Sequence, residues 1–271
     1  MAWPGVIWRY SVFGVTPRSI SESYVEHVPP AALREYVECF WTRGPAAPNA
    51  APQHIIPDGC IDLVLAYGSV SGDQAPQASL AVGTMTRPLV IGAGDTHAYV
   101  GVRFWPGRAL PFLGVPAAEL TDLRADIADV WQDRGASLEN LHGLEPADVP
   151  SAFEGLLVER IARARPLDPT VGAAVRAILR AGGNLSISSL APALGVTRQH
   201  LARAFALHVG VPPKTFARVA RVRRALAKAR VATTVDWVAV ALDAGFYDQA
   251  HFSGEVKELT GRTPSEWLAS A

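Results

Sequence analysis

Residues 245–252, near the C-terminus, constrain the fold more than any other stretch of the chain. A short apolar segment leads to Gly245, which can adopt the left-handed conformation that ends a helix. Asp248 can then cap a second helix through its carboxylate. Phe252 and Val256 lie four residues apart on one face of that helix, which predicts that this face is buried. Two short helices joined by a glycine turn are the parts of a helix-turn-helix.

The same pattern occurs about fifty residues earlier. Gly195 corresponds to Gly245, and Leu201 and Phe205 repeat the apolar spacing of the second helix. Residues 213–230, between the two copies, have a helical pattern with apolar residues on one side. The other side carries Lys214, Arg218, Arg221, Arg223, Arg224 and Lys228. Two helix-turn-helix units joined by a rigid helix can place two recognition helices in successive major grooves, about 34 Å apart.

The charge of the chain is divided between its two ends, although the formal net charge is zero. Residues 170–271 contain 13 basic and 6 acidic residues, a net charge of +7. Residues 1–169 contain 12 arginines, no lysine and 19 acidic residues, a net charge of −7. A basic end beside an acidic end is typical of a protein that binds DNA through one domain. For residues 218–230 taken alone, a solvated basic helix face is the alternative.

The C-terminal hundred residues resemble the AraC/XylS-type transcription regulators. The resemblance covers residues 170–271 and rests on three stretches: 245–253 (Gly-Phe-Tyr-Asp-Gln-Ala-His-Phe-Ser), 260–267 (Thr-Gly-Arg-Thr-Pro-Ser-Glu-Trp) and 210–213 (Gly-Val-Pro-Pro). It implies an activator that binds double-stranded DNA, with RNA polymerase as a further partner and a homodimer as a candidate assembly. Gly254 stands where the family usually has arginine, and Val256 where it usually has phenylalanine. We therefore expect the second unit to be the weaker reader, acting more through phosphates.

The resemblance places ten residues at the DNA surface. They are Arg198, Gln199, His200, Ala202, Arg203, Asp248, Gln249, Ala250, His251 and Lys257. Gln199 can pair with adenine and Arg203 with guanine in the major groove, and Gln249 is the best base reader of the second unit. Asp248 can cap its helix or accept a hydrogen bond from cytosine, and capping is the favoured interpretation.

Two further helix starts can be predicted in this region. Pro192 lies within the first helix of the first unit, where it removes a backbone donor and crowds the preceding turn. We therefore expect that helix to begin at Ser189, which puts the proline in the first turn, or to bend. Upstream, Asp168 and Pro169 should cap and begin a helix.

The first half of the chain alternates short apolar runs with turn signals. This predicts an α+β domain of antiparallel strands, forming a barrel-like or sandwich sheet, plus helices. Strands are predicted at residues 24–28, 39–41, 61–67, 79–82, 89–91 and 97–105, helices at 30–37 and 108–113, and further helices from 119 onward. Residues 1–20 are interpreted as an added strand or a docking arm. The predicted domains are residues 1–165, for sensing or dimerisation, and residues 166–271, an all-α double helix-turn-helix domain.

This half resembles the strand-rich sensor domain that precedes AraC-type DNA-binding regions in many bacterial regulators. The resemblance rests on residues 57–63 (Pro-Asp-Gly-Cys-Ile-Asp-Leu) and 101–107 (Gly-Val-Arg-Phe-Trp-Pro-Gly). It implies control by a small-molecule effector in an apolar pocket with a few polar groups. The candidate ligand-binding residues are Asp58, Tyr67, His97, Tyr99, Arg103 and Trp105. The alternative is a dimerisation or partner-docking module without a ligand.

Enzymatic, metal and membrane functions have little support in the sequence. Cys39 and Cys60 are too few for a disulfide framework or a zinc site of four cysteines. The same count excludes the methyl-acceptor repair domain that is fused to some AraC-type regions, and no Gly-x-Ser-x-Gly elbow occurs. We expect no enzyme activity, no metal and no cofactor. Neither a signal peptide nor a membrane span is recognisable, which predicts a cytoplasmic protein with reduced thiols.

Overall fold

The computed structural model describes residues 24–47, 49–68, 76–131, 148–161 and 166–270. A strand-rich part extends to residue 161, and a helical part begins at residue 166. The segment at residues 1–20, interpreted above as a strand or an arm, lies outside the described residues, as do residues 162–165 between the two parts.

Two antiparallel sheets form the strand-rich part. The strands are β1 (Tyr24–His27), β2 (Val37–Arg43), β3 (Gln53–Ile55), β4 (Ile61–Tyr67), β5 (Pro76–Val82), β6 (Leu89–Ile91), β7 (Ala98–Phe104) and β8 (Arg124–Asp126). The large sheet has the order β1, β2, β7, β4, β5, β8, and β3 pairs with β6 in a separate two-stranded sheet. The antiparallel sheet architecture predicted for this half is confirmed.

The two faces of the large sheet differ in character. Leu63 on β4 and Val102 on β7 are fully buried in the core of this part. One residue along each strand, Asp62 and Arg103 lie side by side in register on the opposite face. Successive side chains of a strand point to opposite faces of the sheet. One face therefore packs in the hydrophobic core, and the other face is available for a site.

The core face is covered by helices and short turns. Helix α1 (Ile127–Val130) and helix α2 (Val149–Ile161) pack on it, with Phe153 of α2 fully buried. Two single turns of 3₁₀ helix, Leu110–Phe112 and Ala117–Leu120, complete the cover. The predicted helix at 108–113 is therefore present only as a 3₁₀ turn.

Two other local predictions in this part are wrong. The residues after Pro30 form successive turns, with the amide of Leu33 donating to Pro30 and that of Tyr36 donating to Leu33. β2 begins directly after these turns, at Val37, so the predicted helix is absent. In the region predicted to be helical from residue 119 onward, residues 124–126 instead form β8, which pairs with β5.

Seven helices form the described C-terminal part. They are α3 (Pro169–Arg180), α4 (Ile187–Ala193), α5 (Arg198–His208), α6 (Pro213–Val231), α7 (Trp237–Asp243), α8 (Gln249–Thr260) and α9 (Pro264–Ser270). The carboxylate of Asp168 accepts hydrogen bonds from the amides of Thr170 and Val171, which confirms the predicted start of α3. None of the helices in the described ranges combines the length and apolar character that crossing a bilayer requires.

Helix α4 departs from the prediction made for it. It begins at Ile187, with Ser186 at the N-cap position, so the expected late start at Ser189 is wrong. Pro192 is the next-to-last residue of a seven-residue helix. The amide of Gly195 closes the end by donating to the carbonyl of Pro192 at 2.9 Å. Because the helix stops one residue after the proline, only its last turn bears the lost hydrogen bond.

Helix α6 joins the two helix-turn-helix units through two separate cores. Phe216 belongs to the first core, where its ring meets Phe205 of α5 with centroids 6.1 Å apart. Leu226, further along α6, belongs to the second core together with Phe252 of α8. Ile56 of the strand-rich part is also buried in that second core. The helix therefore fixes the two units relative to each other, and the strand-rich part packs against their junction.

Candidate nucleic-acid interface and ligand cavity

The two recognition helices, α5 and α8, begin in the same way. Thr197 precedes α5, and its hydroxyl accepts a hydrogen bond from the amide of His200 at 3.1 Å. Asp248 precedes α8, and its carboxylate accepts one from the amide of His251 at 2.7 Å. These bonds satisfy amides that the helix itself leaves without acceptors. The carboxylate of Asp248 is thus used as a cap, in agreement with the favoured interpretation.

All ten residues predicted to face DNA are exposed. Five lie on α5 or its first turn, namely Arg198, Gln199, His200, Ala202 and Arg203, and five lie at α8, namely Asp248, Gln249, Ala250, His251 and Lys257. The buried faces of the same helices carry Leu201 and Phe205 on α5 and Phe252 and Val256 on α8. The two outer faces are therefore accessible to a duplex, and the individual base contacts stay predictions.

Several cations on the basic side of α6 make contacts within the protein, although Lys214 and Lys228 are exposed. Arg218 pairs with Glu255 at 2.6 Å and with Glu258 at 2.5 Å, both on α8. Arg224 donates to the carbonyl of Ala181, at the end of α3, at 3.3 Å. These bonds connect α6 to both helix-turn-helix units.

Two further cations on this side of α6 have similar roles. Arg221 donates to the carbonyl of Gly245 at 3.4 Å and lies 5.1 Å from the ring centroid of Phe246. Lys228 pairs with Asp243 at the end of α7. Much of the positive charge of α6 is thus used to hold the second unit, so we expect DNA recognition to depend more on the cations of the recognition helices.

Gly254 lies in the middle of α8 on its exposed side. Apart from the adjoining residues and the backbone of α8 itself, no heavy atom of the described residues lies within 4 Å of the point that a Cβ atom would occupy. A long side chain therefore fits there, and the glycine leaves a stretch of the second recognition helix without a cation. That the second unit reads DNA less strongly than the first stays a prediction.

A cavity of about 460 Å³ lies in the strand-rich part, between the large sheet and the β3–β6 pair. The large sheet supplies one wall through the face opposite its core, and β3 and β6 supply the other. The lining residues are Tyr24, Glu26, Trp41, Arg43, Gln53, His54, Ile55, Ile56, Asp58, Asp62, Val64, Ala66, Ala78, Leu80, Val82, Met85, Leu89, Ile91, His97, Tyr99, Arg103, Arg124 and Arg223. Its volume lies within the range typical of small-molecule sites.

One polar cluster in the cavity centres on Asp62 and Arg103. The Nε of Arg103 donates to Asp62 at 3.2 Å, and the indole nitrogen of Trp41 donates to the same carboxylate at 2.9 Å. Asp58 lies 3.8 Å from the same Nε. Burial raises the pKa of Asp62 by more than the charge of Arg103 lowers it. For Arg103, burial lowers the pKa, but the combined effect of Asp62, Asp58 and other neighbouring groups outweighs it and leaves the pKa well above its ordinary value.

A second polar cluster joins the ends of β2 and β7. Asp95 accepts hydrogen bonds from Arg43 at 3.0 Å and from the ring of His97 at 2.8 Å. Burial works to raise the pKa of Asp95, but the hydrogen bonds from His97 and Arg43 outweigh it and lower the pKa to about 2. Burial raises the pKa of Tyr99 to about 12, and a hydrogen bond to Asp95 adds to the effect. Asp95 thus holds Arg43 and His97 at the cavity wall as a carboxylate.

The six predicted ligand-binding residues divide into two groups. The cavity is lined by Asp58, His97, Tyr99 and Arg103. Tyr67 is buried in the core on the opposite face of β4, because it shares the parity of Leu63 and not that of Asp62. Trp105 follows the end of β7, and its indole nitrogen donates to the carbonyl of Arg34 at 3.3 Å. The prediction is therefore corrected for Tyr67 and Trp105, which lie outside this cavity.

Several lining residues were missed by sequence reasoning. Arg43 could have been found, because it lies two residues after Trp41 on β2 and therefore on the same face of the sheet. Arg223 gave no such signal, since it comes from α6 in the helical part. It is buried, and its Nη1 donates to the carbonyl of Pro57 at 3.3 Å.

The strand-rich part also contacts the C-terminal ends of both recognition helices. The hydroxyl of Thr84 donates to the carbonyl of Val209, directly after α5, at 2.5 Å. The hydroxyl of Thr121 donates to the carbonyl of Gly210 at 2.7 Å. At the end of α8, the Nδ1 of His54 lies at hydrogen-bond distance, 3.1 Å, from the carbonyl oxygen of Thr260.

Gly59 gives α6 a close approach to the strand-rich part. Its φ of +82° is a conformation that favours glycine, and a Cβ atom there would lie 2.3 Å from the ring of Phe216. The turn that Asp58 and Gly59 form between β3 and β4 is therefore also a contact surface for the DNA-binding part.

Comparison with known proteins divides the chain in the same way. Residues 190–270 match a family described as a helix-turn-helix domain, and residues 25–126 match a domain of unknown function, DUF6597. No curated protein sequence matches the chain.

Three solved structures are similar to parts or most of the chain. The first is a transcriptional regulator with an AraC-type DNA-binding domain from Chromobacterium violaceum, 27% identical, covering 37% of this chain and 90% of that one, with a TM-score of 0.35. The second is the xylose-binding transcription activator XylR, 18% identical over 47% of this chain and 39% of that one, with a TM-score of 0.34. The third is ToxT from Vibrio cholerae, 12% identical over 92% of this chain and 99% of that one, with a TM-score of 0.44.

Proposed function

Because its C-terminal region belongs to the AraC-type helix-turn-helix domains of DNA-binding transcription regulators, we propose that a small effector in the N-terminal cavity controls this protein. We assign residues 1–165 to the sensor domain and residues 166–271 to the DNA-binding domain. RNA polymerase is the target that an activator of this type acts on.

The observation that carries the proposal is the position of Arg223. This residue lies on α6, which joins the two helix-turn-helix units, and it also lines the cavity of the strand-rich part. A molecule in the cavity therefore touches a group of the DNA-binding domain directly. The β3 strand adds a second connection, because His54 lines the cavity and contacts the end of α8.

On DNA, the first unit has the stronger reading surface. Gln199 and Arg203 of α5 supply the donors and acceptors that suit adenine and guanine edges. In the second unit, Gln249 is the base reader and Lys257 supplies a phosphate contact. The ligand-facing residues are assigned to Asp58, His97, Tyr99 and Arg103, together with Trp41, Arg43 and Arg223.

DNA binding by the full chain tests the first half of the proposal. Binding to the DNA upstream of its own gene should be compared with binding to random DNA over a series of salt concentrations. We expect selective binding with a modest salt slope, because base contacts add to the electrostatic term. Equal and steeply salt-dependent binding to both would contradict sequence reading at that site.

Thermal unfolding tests effector control. A small molecule that binds the cavity should raise the unfolding midpoint saturably and change the affinity for DNA. If the molecules that stabilise the protein leave DNA binding unchanged, the N-terminal half is better explained as a dimerisation or docking module.

A further inference from the structure

The cavity has an apolar middle, which limits what can fill it. Val64 and Leu80 project from the large sheet, and Ile55 and Ile91 belong to the opposite pair of strands. Burying apolar surface against such walls stabilises a complex by about 25 cal/mol per Å² of surface removed from water. An occupant of about 460 Å³ or less with an apolar body therefore suits this site.

Arg103 is a cavity group with hydrogen-bonding capacity to offer, whereas the unpaired Nε and Nη2 atoms of Arg43 are buried away from the cavity space. Its Nε–H donates to Asp62, while its two terminal amino groups make no hydrogen bond with any described residue. The side chain retains 16% of its exposure and lines the cavity. Four N–H donors are thus available to an occupant at the floor of the site.

The charges around Arg103 permit an anion there. Asp58 and Asp62 approach the guanidinium at Nε, which leaves the terminal amino groups on the far side from that contact. Arg223 also lies close to Asp58 and offsets its charge. The negative charges of Asp58 and Asp62 are balanced by the positive charges of Arg103 and Arg223. An anion that enters the cavity therefore meets no net negative charge from these four side chains.

The planar shape of the Arg103 guanidinium favours some ligand groups over others. A guanidinium presents two parallel N–H groups that match both oxygens of a carboxylate, and the bond is strengthened away from water. A hydroxyl accepts from one of them only, and an ammonium is repelled. We infer that the effector is a small apolar carboxylic acid, held through its carboxylate by the terminal amino groups of Arg103. This inference rests on the proposed function, because it names the ligand class of the same cavity.

Matched compounds test the ligand class on the full chain. Straight-chain monocarboxylates from hexanoate to decanoate, and 4-phenylbutyrate, should be compared with the alcohol and the amine of the same body by thermal unfolding and calorimetry. We expect the acids to raise the unfolding midpoint and to bind about tenfold or more tightly than the alcohols, because a charge-assisted pair replaces one neutral bond.

Variants at Arg103 show whether the carboxylate binds there. Arg103→Lys keeps the cation beside Asp62 but loses the planar fork, so acid affinity should fall about tenfold while alcohol affinity is unchanged. The double variant Arg103→Gln with Asp62→Asn removes both charges together and avoids leaving one buried and unpaired. Arg87→Gln, at an exposed arginine of the strand-rich part that does not line the cavity, is the matched control and should keep the preference for acids.

The outcomes separate this inference from the proposed function. If alcohols bind as tightly as acids, or if Arg103→Lys binds acids like the parent, the ligand class is wrong and the cavity remains the effector site. If no compound of the three classes binds, the ligand class is wrong, and effector control is decided separately by whether any molecule that stabilises the protein also changes its affinity for DNA.

Discussion

Arg203 on α5 is the side chain on which sequence reading should depend most. It is exposed, and its guanidinium suits the N7 and O6 acceptors of guanine. Arg203→Ala should weaken binding to the operator by about 1–3 kcal/mol and relax the preference at one base pair. Fluorescence anisotropy with the operator, with each base pair varied in turn, measures both effects.

Lys257→Ala is the matched control for Arg203→Ala. Lys257 is exposed on α8 and is assigned to phosphate, so its loss should weaken operator and random DNA equally. The base assignment of Arg203 fails if Arg203→Ala behaves in the same way as Lys257→Ala.

Asp95 makes the stability of the strand-rich part depend on pH. Hydrogen bonds from His97 and Arg43 hold its pKa at about 2, below its ordinary value of 3.8. A carboxylate with a lowered pKa stabilises the folded state fully above its ordinary pKa, and this stabilisation is lost as the pH falls through about 2. Its side chain is 10% exposed, so a contribution of about 1–2 kcal/mol is expected after allowing for solvent screening.

Asp95→Asn tests this contribution through the pH dependence of thermal unfolding. The variant should unfold at a lower temperature near neutral pH, and its midpoint should fall less than that of the parent as the pH drops from about 5 to about 2. Parallel midpoint curves for parent and variant would show that Asp95 does not carry this dependence.

At the scale of elements, the two helix-turn-helix units are unequal copies. Helices α4 and α5 and their turn, residues 187–208, contain two arginines and no acidic residue, whereas residues 237–260 contain one lysine and four acidic residues. Two of those acids, Glu255 and Glu258, are paired with Arg218 of α6. The second unit therefore offers a phosphate backbone less attraction than the first.

Gly254→Arg should restore part of that attraction. The position is exposed and has room for a side chain, so the variant should bind both operator and random DNA more tightly. Its salt slope should increase by about one, which corresponds to one added phosphate contact. Replacing glycine within a helix should also raise the free energy of unfolding by about 0.5–1 kcal/mol.

Gly254→Ala separates the two effects of that change. It should give the same increase in stability without the increase in DNA affinity or salt slope. An equal gain in affinity from alanine and arginine would mean that helix stability, and not charge, limits the second unit.

How far the elements can be predicted depends on the range of the interactions that form them. The helix-turn-helix units follow from local signals, since Asp248 and Gly245 specify a cap and a turn within a few residues. The strand β8 has exposed Arg124 and Asp126 and no apolar alternation, so only its pairing with the distant β5 reveals it. Tyr67 is the opposite case. The sequence showed that side chains alternate between two faces along β4, but it did not show which of the two faces lines the cavity.

At the scale of the whole molecule, the strand-rich part holds both recognition helices at their C-terminal ends. Thr84 and Thr121 bind the backbone after α5, and His54 contacts the backbone at the end of α8. This could not be predicted from the sequence, because each bond joins residues that are far apart in the chain and uses a backbone carbonyl. The same applies to Arg223, whose side chain leaves the basic side of α6 to line the cavity.

Replacing Thr84 and Thr121 together by valine should weaken the communication between cavity and DNA. Valine keeps the shape of threonine but lacks the hydroxyl donor. The carbonyls of Val209 and Gly210 therefore lose their hydrogen bonds from Thr84 and Thr121. Each buried carbonyl left without a partner costs about 1–3 kcal/mol. Neither threonine lines the cavity, so the affinity for a probe such as octanoate should be unchanged. The factor by which octanoate changes DNA affinity should move towards one.

Thr86→Val provides the matched control for that double variant. Thr86 lies two residues from Thr84, and its hydroxyl donates to Asp122 at 2.6 Å within the strand-rich part. The control therefore loses a hydroxyl from the same loop without touching a recognition helix, and it should keep the parent coupling. Linkage requires that DNA change octanoate affinity by the same factor, so each variant can be measured in both directions. A loss of coupling in Thr86→Val equal to that of the double variant would show that the stability of the loop, and not the contact with α5, transmits the signal.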